Sequence, residues 1–399
     1  AEQNESVASR RVAVIGGGAA GLSAAWRLQS ASTQVTVYEK HGTPGGLMTT
    51  VHVGEVRVDP AVQLLSSTYT HLLALAREAG AGHLLVRATG RDALWRKGRA
   101  QEITYGNVAS MATSAALPTM LKLKLAAKYV PFLTMQLGSL DANDPASTGG
   151  IAHDRESIAS WGKREVGEDF VEYLAYPLLA AYYGSPPEDT TAAMYHALAR
   201  VGMEVELYAV RGGMASLSES IATALTARGA VIRTGAGANV TGVTRGGDDA
   251  WSVATESGVE KYDGVVIATP PETAHTLLDE SAGPLRTWLS GARSRPAANL
   301  CIAIEGGMRA PYFGLSFPRR DAPGDRIVAI TVQQNKPSDL VPAGRSALVV
   351  YPSTDVVERV AALDADAALS LLSPLLERVY PGVSRRVRAT ALFAGDARY

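Results

Sequence analysis

Cysteine is almost absent from this 399-residue chain, which has one, Cys301. A single thiol excludes an internal disulfide framework and fits a reducing compartment. It lies in the apolar run NLCIAIE, residues 299–305, where a buried, inert thiol is expected rather than a nucleophile. A surplus of charge is also lacking. Lys and Arg number 38 against 39 Asp and Glu, a formal net charge of −1, so the basic excess that marks a nucleic-acid partner is missing. The seven histidines have no paired spacing and leave no metal set. No Gly-x-Ser-x-Gly elbow and no P-loop occurs, and nothing suggests a protein nucleophile. No window approaches the roughly 18 uninterrupted apolar residues of a spanning helix. The polar N-terminal stretch AEQNESVASRR carries no apolar core of a secretory signal and reads as a disordered lead-in. A cytoplasmic location is the simplest expectation.

What is present is the material of a globular chain, 46% hydrophobic and 19% charged, long enough for two domains or more. The informative stretch is RVAVIGGGAAGLSAAWRLQSASTQVTVYEK, residues 11–40. VAVI has the short, continuous, β-branched pattern of a buried strand. Gly16, Gly18 and Gly21 then form Gly-x-Gly-x-x-Gly, with Ala19 and Ala20 inside the turn, and LSAAWRLQ continues as a helix. The first glycine permits a tight turn and the second lets backbone touch a pyrophosphate. The third lets the helix lie close to the strand, its positive end aimed at the phosphates. A second strand, QVTVYE, ends in Glu39, 18 residues after Gly21, where an acid accepts hydrogen bonds from ribose hydroxyls and disfavours a 2′-phosphate. The pattern predicts dinucleotide binding.

The following segment, KHGTPGGLMTT, resembles the superfamily of FAD-dependent amine oxidases, protoporphyrinogen oxidases and phytoene desaturases. Its members follow the ribose-binding acid with Gly-Gly-Arg-x-x-Ser/Thr along the flavin pyrophosphate. Gly45, Gly46 and Thr50 match that segment, and Leu47 stands where the arginine is usual. Arg27, Lys40 and Arg57 are the nearby cations that could take its place, and each reads by default as a solvated surface charge. The resemblance also implies adenine contacts at Val240, in NVTGV, and a closing flavin strand, KYDGVVIATPPETA, with Ala268, Thr269 and Pro270 at its end. The implied cofactor is FAD.

The resemblance covers most of the chain and implies an α/β fold. A doubly wound, Rossmann-like FAD domain is expected from residues 10–90 and 206–275. An α+β substrate domain is expected from a mainly helical part, 91–205, and a sheet part, 276–399. The implied activity is an FAD-dependent oxidoreductase that dehydrogenates a bulky apolar or porphyrinogen-like molecule by hydride transfer to flavin N5, with oxygen or another acceptor taking the electrons on. A flavin amine oxidase or a carotenoid-type desaturase is the enzymatic alternative. A flavin-fold binding protein without catalysis is the alternative of another class. Catalytic side chains are not identified. His196 and Arg200, one helical turn apart in MYHALARVG, are expected to be a helix-surface pair. LPTMLKLKLAAKYVPFL, residues 117–133, reads equally as a core helix with lysines on its wet side and as a peripheral membrane contact for a lipophilic substrate. At the other end Ala394, Gly395 and Asp396 imitate the start of the family's last flavin-contacting segment. The expectation is that these three belong to the substrate domain, that the true segment lies beyond Tyr399, and that a chain ending there holds FAD loosely.

Overall fold

The computed structural model describes residues 9–88, 91–136, 140, 154–202, 205–246, 250–292, 294, 296–322 and 326–398. The polar lead-in, residues 1–8, and part of the expected helical stretch, 137–139 and 141–153, lie outside them.

VAVI forms the inner strand of a four-stranded parallel sheet. β1 (Arg10–Ile15) is flanked by β2 (Thr33–Glu39) and by the strand Gly264–Ile267, and the strand Val231–Thr234 lies beyond β2. Side chains alternate with period two. Val14, Val35 and Val37 face Leu22, Ala25 and Trp26 of α1 (Ala19–Leu28) and Leu217, Ile221 and Leu225 of the helix Met214–Ala227. Ala13, Ile15 and Tyr38 face an antiparallel meander, Val240–Arg245, Trp251–Thr255 and Gly258–Tyr262. A strand covered on both faces needs a continuous apolar run, which is what the sequence supplies. Leu22, wholly buried, contributes roughly 1.5–3 kcal/mol by leaving water.

The second body is a seven-stranded mixed sheet. Its spatial order is Val387–Arg398, Pro296–Glu305, Arg345–Pro352, Ile327–Val332, Gly314–Ser316, Asp92–Arg96, Arg99–Ile103. The sole parallel pairing in it joins Gly314–Ser316 to Asp92–Arg96. Leu300, Ile302 and Ile304 turn toward Val360, Leu372 and Leu376 of the helices Val357–Ala361 and Ala365–Val379. Cys301 and Ala303, on the other face, meet Val53, Val56 and Val58 of the hairpin Val51–Val53/Val56–Val58. Ala394 and Gly395 lie within the edge strand of this sheet, opposite Ala298 and Ala297.

A helical layer packs against the sheet's two early strands, through Leu94 and Ile103. Leu117, Leu121, Leu125, Tyr129 and Leu133 recur every four residues and are buried in it, while Met120 and Leu123 on the outer side are each 59% exposed. Ser157 caps the helix Ile158–Glu165, accepting the Ser160 N–H at 3.2 Å. His196 corrects the sequence expectation. It is fully buried, its Nδ1 is 3.2 Å from the Tyr129 hydroxyl, and Trp161 and Phe132 pack against its ring. Arg200 donates instead to the carbonyl of Leu140. The two are not a surface pair, because the helix Ala192–Gly202 presents His196 to an aromatic core that no local pattern announces.

A buried ion pair joins the two bodies. Asp59 follows the hairpin and Lys336 follows the strand Ile327–Val332; Nζ donates to Oδ2 at 2.6 Å and neither side chain is exposed. The Asp59 Oδ1 accepts the Met214 N–H at 2.9 Å and the Thr50 hydroxyl at 2.6 Å. Gln63 accepts from both Lys336 (3.4 Å) and Gln333 (3.0 Å). Burial pulls the Lys336 pKa down and the Asp59 charge opposes that shift. Losing one member of a buried pair strands the other charge, at about 3–5 kcal/mol. Lys336→Met is expected to lose that much in urea unfolding, and Lys336→Met with Asp59→Asn to lose less than Lys336→Met alone. A single variant within about 1 kcal/mol of the parent would contradict the pairing.

Candidate functional site

The site begins where β1 ends. Gly16 has φ of +102°, and a Cβ there would lie 2.6 Å from the Ala268 carbonyl oxygen and 3.4 Å from Thr269 Cγ2. Its N–H donates to the Tyr38 carbonyl at 2.8 Å, and the Ala268 N–H donates to Ile15 at 2.8 Å. A Cβ at Gly21 would sit 1.8 Å from the Gly16 carbonyl oxygen. Only glycine fits there. Gly18 opens α1 with no side-chain cap, so Ala19 and Ala20 stand in a first helical turn whose N–H groups face outward.

The second glycine pair closes over the first. Gly45 (φ +142°) donates its N–H to the Gly17 carbonyl at 2.9 Å and forms a parallel bridge with Gly18. A Cβ on Gly46 would come within 3.2 Å of Gly18 Cα. Two backbone segments and an uncapped helix start thus form a cradle without side chains, the arrangement that receives phosphate. An open cavity of about 390 Å³ lies against this helix start, lined by Ala19, Ala20, Ser23, Thr68, Tyr69 and His71 among others.

Glu39 ends β2 beside the cradle and is 5% exposed. Its Oε2 accepts the Gly17 N–H at 2.8 Å and its Oε1 accepts the His41 N–H at 2.9 Å. The sequence treats this acid as free for a ligand. The structure gives it a second task, fixing the glycine turn. An ionised carboxylate has about four lone-pair positions, so about two remain for hydroxyl donors. Gly235 donates to the Glu39 carbonyl at 3.0 Å, which brings the turn before Val240 alongside; Val240 itself is 8% exposed.

The other expected residues sort by distance from the cradle. Leu47 is half-buried on the same loop and Lys40 is exposed. Arg27 is corrected as a phosphate partner: it lies in the last turn of α1, where both guanidinium nitrogens bond Glu78 at 2.9 and 3.0 Å. Arg57 donates to the Gly212 carbonyl at 3.4 Å, at the approach to the helix Met214–Ala227. Thr50 caps that helix, accepting the Ala215 N–H at 3.1 Å while donating to Asp59. Cys301 is wholly buried, and burial pushes its thiol up to about 12.

Asp59 and Lys336 were not singled out from the sequence. They stand 277 residues apart, and the strand-end position of Asp59 was the only local signal. Among the described residues the cradle, the uncapped helix and the adjacent acid match a dinucleotide's pyrophosphate and adenosine in shape and charge.

Comparison with known proteins agrees. A family model described as flavin containing amine oxidoreductase matches residues 19–395. The chain is 22% identical over 410 residues to coproporphyrinogen III oxidase of Bacillus subtilis, covering 93% of this chain and 83% of that one. It is 26% identical over 192 residues to protoporphyrinogen oxidase 2 of Arabidopsis thaliana, covering 47% of this chain and 35% of the plant protein. It therefore spans about a third of that relative's length. Among solved structures, cyclohexylamine oxidase from Brevibacterium oxydans superposes with a TM-score of 0.71 at 16% identity, over 97% of this chain and 85% of that one, which shows a shared fold. The chain belongs to the flavin-containing amine oxidoreductase family, and its cofactor is FAD.

Proposed function

We propose that this chain dehydrogenates a bulky, largely apolar substrate in a tyrosine-lined cleft that leads from the start of α1 to the seven-stranded sheet. The carrying observation is the order of the lining. Tyr69 borders the cavity at α1 and is 48% exposed. The Tyr183 hydroxyl is pushed up to about 12 by burial and by Tyr69. Tyr182 is 53% exposed, yet the Asp92 charge and then burial hold its ionisation down. Exposed tyrosine rings near the cavity at α1 support an apolar cleft there.

In this reading Gly16, Gly18, Gly21, Gly45, Gly46 and Glu39 hold the pyrophosphate and adenosine of FAD. Ala19, Ala20, Lys40, Leu47, Val240, Ala268 and Thr269 form the surrounding wall, and Thr50 braces it. Bound FAD supplies the two-electron acceptor. The chain's own residues bind and orient the substrate, exclude water, and leave a C–H bond facing the acceptor while a proton departs to solvent. Residues 10–90 with 206–275 make the cofactor half, and 91–205 with 276–399 the substrate half. The coproporphyrinogen III oxidase match, over most of the chain, supports a porphyrinogen-like substrate. The family itself supports an amine. In an anaerobic titration of the FAD-loaded protein, the substrate is expected to bleach the flavin absorbance and air to restore it. No bleaching by porphyrinogens, polyenes or bulky amines would sink the reading in favour of a non-catalytic protein.

A peripheral membrane contact through residues 117–133 is part of the same proposal. Among the described residues no helix is long and apolar enough to cross a bilayer. Met120 and Leu123 are each 59% exposed and Val130 37% exposed, and Lys128 stands among them. Vesicles containing phosphatidylserine are expected to float the protein at low salt and to lose most of it on Met120→Ser/Leu123→Ser. Equal flotation by that variant would contradict the contact.

A further inference from the structure

We infer that a small charged cavity beside the helix Thr119–Lys124 is a headgroup site for phosphatidylethanolamine, a phosphate diester that carries a primary ammonium. This deepens the bilayer contact of residues 117–133 and rests on it. The cavity measures about 180 Å³, below the roughly 300–1,000 Å³ of sites that enclose a whole drug-sized ligand. Its size suits one polar group. Met120 and Val166 supply apolar wall, and Lys124, Glu168, Asp169 and Arg320 supply the charge.

Arg320 is already engaged. Its Nη2 lies 3.1 Å from the Glu168 Oε2, and its Nη1 bonds the Asp169 Oδ1. Lys124 is not. Its side chain is half-buried, and among the described residues it makes no hydrogen bond or ion pair. Lys128, four residues on, shows how a structural lysine is used here: its Nζ donates to the Glu165 carbonyl at 2.9 Å, closing the end of the helix Ile158–Glu165. Lys124 reaches the backbone just past that end. Gly167 has φ of +120°, and a Cβ there would lie 2.7 Å from the Lys124 Nζ. Glycine keeps the space beside this ammonium open.

Two cations and two acids leave the cavity without net charge, so it favours a ligand with both signs over a bare anion. A diester phosphate brings one negative charge to the unpaired Lys124 ammonium. The ligand's own ammonium then meets Glu168, whose side chain is 63% exposed and whose Oε1 has no partner among the described residues. A quaternary choline nitrogen has no N–H to donate to that oxygen, and a glycerol headgroup has no positive charge. Met120 decides for a lipid rather than a free headgroup. It belongs to the cavity wall and also to an exposed apolar stripe with Leu123, three residues on, each of them 59% exposed. Acyl chains continue along that stripe while the headgroup turns into the cavity.

Isothermal titration calorimetry of the FAD-loaded protein with dihexanoyl phosphatidylethanolamine, phosphatidylcholine and phosphatidylglycerol, each kept monomeric, separates the headgroup from membrane packing. The ethanolamine lipid is expected to bind about three-fold tighter or more than either other, the scale of one exposed ion pair. Glu168→Gln should erase that preference and leave the choline and glycerol lipids as in the parent, while Lys124→Met should weaken all three. Equal binding of the three lipids by the parent, or a preference that survives Glu168→Gln, would overturn the site. In a second arm, vesicles of phosphatidylcholine should float more protein when they contain phosphatidylethanolamine, and Glu168→Gln should abolish the gain. No gain in the parent would likewise overturn the site. A parent that prefers the ethanolamine lipid in calorimetry yet floats on no vesicle would instead refute the bilayer contact, and with it a lipid as the occupant.

Discussion

The dinucleotide half depends on backbone meeting backbone where no side chain fits. Gly21 must approach the Gly16 carbonyl, where a Cβ would come within 1.8 Å, and Gly16 must approach Ala268, where it would come within 2.6 Å. Those contacts set α1 against β1 and align the closing strand Gly264–Ile267 beside it. They also leave the first N–H groups of α1 pointing outward with no side-chain cap. Partial positive charge at a helix start, bare of side chains, is a place for phosphate. Glu39 completes the arrangement by accepting the Gly17 N–H, so the residue proposed to meet the ribose also stiffens the turn proposed to meet the pyrophosphate.

One buried carboxylate ties the halves of the fold together. Asp59 is fully satisfied, and its bonds to Lys336, Thr50 and Met214 tie the hairpin, the second helix start and the large sheet into one frame.

Much of the cofactor half was legible because its signals are local. The run Val12–Ile15, the glycine spacing and the β2 run ending at Glu39 lie within 30 residues, and each position's requirement is met by its neighbours in sequence. The closing strand ending at Ile267 was legible from its β-branched run and the proline that follows. What the sequence hid is long-range pairing. Arg27, read by default as a surface charge, pairs at the surface with Glu78, a partner 51 residues away. His196 looked like a surface residue until Trp161 and Tyr129 enclosed it. Thr50 matched a cofactor segment, and its hydroxyl turned out to cap a helix more than 160 residues downstream. Partners supplied from distant segments leave no period or spacing behind.

The central claim is that Glu39 and the Gly16–Gly21 turn hold the adenosine and pyrophosphate end of FAD. The most direct measurement is the dissociation constant for FAD, with ADP in parallel, for the parent chain and for Glu39→Ala, Glu39→Gln and Gly42→Ala, each verified as folded by its melting curve. Gly42 is the control, since a Cβ there meets nothing within 4 Å. Both Glu39 variants should weaken FAD and ADP together by about ten-fold or more, or about 1.4 kcal/mol, while Gly42→Ala leaves both unchanged. Folded Glu39 variants that bind FAD and ADP as tightly as the parent would contradict the account.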